Sequence, residues 1–168
     1  MKIRQNQKGF TLIEVVLVLA IGGLIFLLAF LAFQQVSTNR RDTQRRNDAG
    51  SIISELQNAA GDGVVVDTPE KLTGSTGPVA TPPATPAGAT SFLQVYMGGA
   101  KKGPQGNYTF RLGTTPTSAA VQSVAKDVVQ VTRGAKCTPD TSSSLTPQSG
   151  AYAVIVGLEK GSVCRDDQ

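Results

Sequence analysis

Nineteen consecutive residues from Val15 to Phe33 carry no charge, and the apolar run reaches back to Phe10 with one interruption, the carboxylate of Glu14. As a helix, residues 10–33 extend about 36 Å at 1.5 Å per residue, enough to cross the hydrocarbon of a bilayer. The pattern then changes. Residues 34–48 are polar on nearly all sides, with Asp42 four before Arg46 and Arg45 three before Asp48, spacings that predict ion pairs on an exposed helix. Ala49, Ile52, Ile53, Leu56 and Ala60 recur at helical spacing and predict one apolar face for packing on a sheet. No proline precedes Pro69, and Gly61-Asp62-Gly63 is the first firm stop. One helix is therefore expected from the apolar run to about Ala60, roughly 77 Å long.

Beyond the helix, Val64-Val65-Val66 suits a short extended piece. Residues 61–91 read as a loop, because Pro78, Pro82, Pro83 and Pro86 exclude regular helix and central strand and favour polyproline character. Strands are predicted at Phe92–Met97, Tyr108–Leu112, Asp127–Thr132 and Ala151–Leu158, each β-branched or aromatic and bounded by Gly, Pro or Ser. The first two flank Gly98–Asn107 and predict a hairpin with a long glycine-rich loop. Ala151–Leu158 is apolar on both faces, which predicts a central strand covered by the amphipathic half of the helix. The expected fold class is α+β: a long N-terminal helix packed on a small antiparallel sheet.

Composition narrows the function. The 168 residues carry a formal charge of +4, but Lys2, Arg4 and Lys8 precede the apolar run, leaving 13 basic against 12 acidic side chains. With that near-neutral balance and no Trp, nucleic acid is not an expected partner. The absence of His excludes His-based acid–base chemistry and His-containing metal sites. No nucleophile sits beside a convincing base, so no catalytic residue, metal ligand or cofactor is assigned. Asp166 and Asp167 lack the neighbouring acids that a hard cation needs and read as a solvated tail. Gly103-x-x-Gly106 beside Lys101 and Lys102 reads as a hairpin tip rather than a phosphate loop. Asn107-Tyr108-Thr109 matches a glycosylation sequon at the start of a strand. Cys137 and Cys164 are the only two cysteines, an even pair that an oxidising compartment would allow to close; two buried free thiols are the alternative.

The leader holds three bases and no acid, like the basic region of a secretory signal, yet Gln34-Gln35-Val36 is a poor small-residue cleavage site. The apolar helix is therefore expected to remain in the working protein. A lone acid in hydrocarbon costs about 2.5–3.5 kcal/mol and persists where a partner or a function compensates it. An interfacial Glu14 among head groups is the other reading. The basic leader, Gly9-Phe10-Thr11-Leu12-Ile13-Glu14 and the apolar helix together resemble the class III signal of a type IV pilin or pseudopilin precursor.

That resemblance implies a prepilin peptidase that cuts between Gly9 and Phe10 and methylates the new Phe10 amine. It also implies pairing of that amine with Glu14 of a neighbouring subunit as helices bundle into a filament. The implied organisation is a leader (1–9), a membrane-spanning and filament-core half-helix (10–33), an amphipathic half-helix (34–60), an αβ-loop (61–91) and a sheet head (92–168). A Cys137–Cys164 bridge would bound the C-terminal region of that head. Implied partners are further copies or co-pilins, the peptidase, the assembly machinery and the membrane. The implied location is the bacterial cell membrane and then an extracellular pilus, with a structural rather than enzymatic role. A pseudopilin of a type II secretion machine is the same-family alternative, and a monomeric membrane-anchored binding protein the alternative from another class. Arg40, Arg41, Arg45 and Arg46 follow the apolar run and compete with the leader in a positive-inside count, whereas the leader type and the cysteine pair favour an exterior head.

Overall fold

The computed structural model describes residues 9–75, 91–138 and 143–167. They fall into two units, one ending at Asn39 and one beginning at Arg40. Helix α1 (Leu12–Gly61) contributes to both. In the first unit its apolar side chains are exposed all round, as expected of a helix whose solvent is lipid or other helices. Its length and composition suffice to cross a membrane.

In the second unit α1 buries Ala49, Ile52, Ile53, Leu56 and Ala59. The apolar stripe thus closes through Ala59 and leaves Ala60 exposed. The helix stops in a Schellman motif: Gly63 adopts φ +78°, its N–H donates to the Ala60 carbonyl, and the Val64 N–H donates to the Ala59 carbonyl. Val66 is then held in an extended segment by a buried bond from its N–H to the Tyr152 hydroxyl at 2.9 Å. Tyr152→Phe orphans that N–H and is expected to lower stability by about 1–3 kcal/mol, readable in a denaturant titration of the detergent-solubilised chain.

Two short helices were not expected. Helix α2 (Pro69–Thr73) has Thr68 as N-cap, proline in its first turn and Gly74 in the left-handed region at its end. Helix α3 (Phe92–Val95) replaces the strand expected over Phe92–Met97. A strand would send Phe92 and Leu93 to opposite faces, whereas both are fully buried, and Phe92 stacks on Tyr96 one helical turn later at 5.8 Å. The hairpin across Gly98–Asn107 is likewise absent. A two-stranded ribbon, β1 (Lys102–Gly103) with β2 (Gly106–Asn107), forms inside that segment instead. The Pro-rich part of the loop, residues 76–90, lies outside the described residues.

The main sheet contains β3 (Thr109–Leu112), β4 (Ala120–Val121), β5 (Val128–Cys137), β6 (Ser144–Gly157) and β7 (Ser162–Asp166). Strand order is β3-β5-β6-β4, with β7 also on β6. Most pairs are antiparallel, but β3 and β5 run parallel with Phe110 opposite Val129, so the sheet is mixed. Strand β6 is central, as its two apolar faces predict. Tyr152, Val154 and Val156 join the core under α1, while Ala153 and Ile155 join a second core with Ala135 and Leu145.

That second core explains the length of β5 and β6. Arg133 pairs with Tyr152, but Ala135 pairs with Pro147, so four residues of β6 bulge out opposite Gly134. Gly134 (φ +73°) and Gly150 (φ +81°) supply the left-handed backbone this bulge requires. The hairpin beyond it turns back over the sheet face that α1 does not cover. Cys137, at the end of β5, is bridged to Cys164 in β7, with the Cα atoms 5.8 Å apart. The turned-back hairpin is thereby tied to the edge strand. Reduction is expected to cost the head about 3–4 kcal/mol. Equal denaturation midpoints with and without reductant would show the bridge to be idle.

Candidate functional site

The peptide expected to be cut lies immediately outside the helix. Gly9, Phe10 and Thr11 are non-helical and exposed, and α1 begins at Leu12 with Thr11 as its N-cap. Glu14 sits at the third helical position and reaches back one turn. Its Oε2 accepts from the Thr11 N–H and from the Thr11 hydroxyl, both at 2.8 Å. Thr11-Leu12-Ile13-Glu14 is therefore half of a capping box, with the acid satisfying an N–H that the helix leaves unpaired. The Thr-x-x-Glu spacing in the sequence carries this signature, a second role for Glu14 beside its charge. Thr11 offers dipoles rather than a compensating charge. Among the described residues no cation lies within ion-pair distance of Glu14, and both Thr11 bonds fall on one oxygen, leaving Oε1 open. Phe10 and Glu14 together with Val15, Val18 and Leu19 border a shallow apolar cleft on the helix surface.

A second constellation holds the helix in the head, and sequence spacing misassigned it. Arg45 is fully buried rather than displayed on an exposed helix. Its Nε and Nη2 donate to Asp127 Oδ1 at 3.0 and 2.8 Å, Nη1 to Asp42 Oδ1 at 2.9 Å and to Glu159 Oε1 at 3.2 Å, and Nη2 to Gln105 Oε1 at 3.4 Å. The Glu159 N–H also donates to Asp42 Oδ1 at 3.0 Å. One guanidinium thus joins α1, the turn between β1 and β2, the turn before β5 and the turn after β6. Asp127 has φ +59°, a left-handed backbone that Asp tolerates and that its bonds to Arg45 over-determine.

Electrostatics keep Arg45 and Glu159 ionised. Burial pulls the Arg45 guanidinium down, but hydrogen bonding and charge from Asp127, aided by Asp42 and Glu159, raise it above its ordinary value. Burial raises the Glu159 carboxyl, and the Arg45 hydrogen bond with the charges of Lys126 and Arg45 outweighs it, leaving the group below the usual range. Asp48, expected to pair with Arg45, accepts instead from the Tyr108 hydroxyl at 2.8 Å and lies 3.7 Å from Lys101. Burial, then Asp48, pushes the Tyr108 hydroxyl well above its usual range, so it remains a donor.

The remaining candidates have other work. Asp166 Oδ2 accepts from the Cys137 N–H at 2.7 Å and Asp167 Oδ2 from the Tyr152 N–H at 3.1 Å, so these acids cap backbone groups rather than forming a solvated tail. Gly103 and Gly106 lie in the β1–β2 ribbon, where a Cβ on Gly103 would press on the Tyr108 ring. Cys137 and Cys164 are bridged within the head, far in sequence from Gly9–Glu14.

Comparison with known proteins bears on the N-terminal site. Residues 4–30 match the family model of the prokaryotic N-terminal methylation motif. No curated protein and no solved structure matches the chain. The matched stretch contains Gly9, Phe10, Thr11 and Glu14 and most of the apolar helix. That motif is a class III prepilin signal, of the kind that type IV pilin and pseudopilin precursors carry, and here it opens a helix long and apolar enough to cross a membrane.

Proposed function

We propose that the chain is the precursor of a structural subunit of a type IV pilus. A prepilin peptidase removes residues 1–9 and methylates the nitrogen of Phe10. The mature helices then leave the bacterial cell membrane side by side, forming the core of an extracellular filament with the disulfide-bearing head outside. The partners are other copies of this chain or co-pilins, the peptidase and the assembly machinery. The role proposed for it is structural rather than enzymatic.

The carrying observation is Glu14 at the start of a helix whose apolar side chains are exposed among the described residues. Thr11 satisfies one of its oxygens without neutralising it. Cutting at Gly9 creates an amine with a reference pKa of about 7.7–8.0, a cation available to an open carboxylate oxygen on the next helix. Bundling the helices covers the exposed apolar surface and matches that acid with that amine in one event.

Fibres sheared from cells and analysed by mass spectrometry test this reading. The expected result is fibres built from a chain that begins at N-methylated Phe10. A chain that keeps Met1–Gly9 and stays dispersed in the membrane fraction contradicts it.

A further inference from the structure

The bulge in β6 opposite Gly134 opens a groove of about 480 Å³ that lies wholly within the second unit. One wall is the chain leaving β3, from Leu112 to Thr115, and the Thr115 hydroxyl ties it to the Arg133 carbonyl at 2.8 Å. The other wall runs from Pro147, where β6 leaves the ladder, to Gly150. Gly134 also lines the groove; a Cβ there would meet the Thr115 methyl at 2.9 Å, so wall and bulge fit together only around glycine. The volume falls within the range of about 300–1,000 Å³ typical of small-molecule sites. No residue of the Arg45 network or of the N-terminal motif takes part in it.

The lining selects a ligand. Arg133 is exposed, its guanidinium donates no hydrogen bond among the described residues, and the acid paired with it, Asp67, stands 4.0 Å away. Asp67 is itself engaged by Lys71 at 2.8 Å, and that hydrogen bond holds its carboxyl below the usual carboxylate range. Asp67 and Lys71 cancel, leaving the groove with the charge of one guanidinium fork, whose planar donors match a carboxylate. A phosphate would bring a second negative charge beside Asp67. The Gln148 amide and the Ser149 hydroxyl make no side-chain hydrogen bond among the described residues, and ionised Asp67 only accepts. Together they offer donors and acceptors to several hydroxyls. Leu112 and Pro147 add a small apolar surface, and no aromatic ring lines the groove among the described residues, which suits the C–H face of a saturated ring better than a nucleobase. The geometry points to a binding site for an acidic monosaccharide unit, its carboxylate on the Arg133 fork and its ring hydroxyls on Asp67, Gln148 and Ser149. The site gives the head a recognition function and requires neither cleavage at Gly9 nor filament assembly.

Chemical-shift titrations of the isotope-labelled full chain, in a detergent without sugar or phosphate headgroups, test this with glucuronate, glucose, acetate and inorganic phosphate. Glucuronate is expected to shift the amides of Gly113, Thr115, Gly134 and Gln148–Gly150. It is expected to bind about tenfold or more tightly than glucose, which lacks the charged hydrogen bonds, or acetate, which lacks the hydroxyls. Arg133→Gln is expected to reduce glucuronate to the level of glucose. Because the Arg133 side chain is exposed and donates no hydrogen bond, the rest of the amide spectrum is expected to stay in place and to show that the variant folds. Glucuronate that leaves these amides unshifted overturns the inference, as does binding no tighter than that of glucose or acetate, or a preference that survives Arg133→Gln. Tighter binding of phosphate overturns it in favour of a phosphorylated ligand. Sheared fibres report assembly separately, so failure of the titrations leaves the pilin reading standing.

Discussion

Glu14→Gln is expected to leave the chain in the membrane and to remove sheared filaments almost completely. The substitution separates the two tasks that the carboxylate can perform. A glutamine amide oxygen still accepts from the Thr11 N–H and hydroxyl, bonds of 2.8 Å in the native chain, so the start of α1 is kept. What disappears is the charge. Insertion becomes easier, because a charged acid in hydrocarbon costs about 2.5–3.5 kcal/mol. Assembly becomes harder, because the Phe10 amine of an incoming subunit then meets a neutral amide among apolar helices and remains an uncompensated cation. Glu14→Ala is expected to give the same loss of filaments and, in addition, to fray the first turn at a cost of about 1 kcal/mol. Membrane flotation followed by immunoblotting of the sheared fraction reads both effects. Fibres at the native level from Glu14→Gln would mean that the acid serves only as a helix cap.

Arg45→Met is expected to be the most damaging single change in the head. Removing one partner from a buried ionic cluster typically costs about 3–5 kcal/mol, since the charges left behind lose their counter-ion in a poorly solvated place. The three carboxylates around Arg45 retain 17 to 22 % exposure, which places the expected loss near the lower figure, about 3 kcal/mol. Acid should imitate the mutation. Glu159 has its folded pKa lowered, so its contribution is present above the unfolded carboxylate value, about 4.3, and is lost as pH falls through the lower folded value. The unfolding free energy of the detergent-solubilised chain is therefore expected to fall with decreasing pH across that range for the native protein and only weakly for Arg45→Met. Parallel curves for the two would show that the cluster contributes no linked protonation.

Local rules made much of this chain legible. The uncharged run, the polar turn-rich stop at Gly61-Asp62-Gly63 and the two-faced apolar pattern of residues 151–158 each prescribe a single local solution, and the structure adopts it. The capping box at Thr11 and Glu14 and the Thr68-Pro69 start of α2, with Gly74 at its end, are equally local signals in the sequence, beyond what hydrophobic periodicity alone detects. Other features were not local at all. Arg45 was matched to Asp48 by a spacing rule, whereas two of its carboxylate partners lie 82 and 114 residues away. Such an ion cluster exists only once the helix, the turn before β5 and the turn after β6 have been brought together. The parallel pairing of β3 with β5 and the turned-back β5–β6 hairpin likewise depend on which residues end up sharing a face. For Phe92 and Leu93, strand propensity lost to burial of both side chains in one core.

A cryo-electron microscopy reconstruction of the sheared filament, at a resolution that places side chains, decides whether amine and acid pair between subunits. The Phe10 nitrogen of each subunit is expected within about 4 Å of a Glu14 carboxylate oxygen on a neighbouring copy, inside a bundle of the apolar helices. A filament in which Glu14 faces only its own Thr11 and the Phe10 amine lies elsewhere would contradict it.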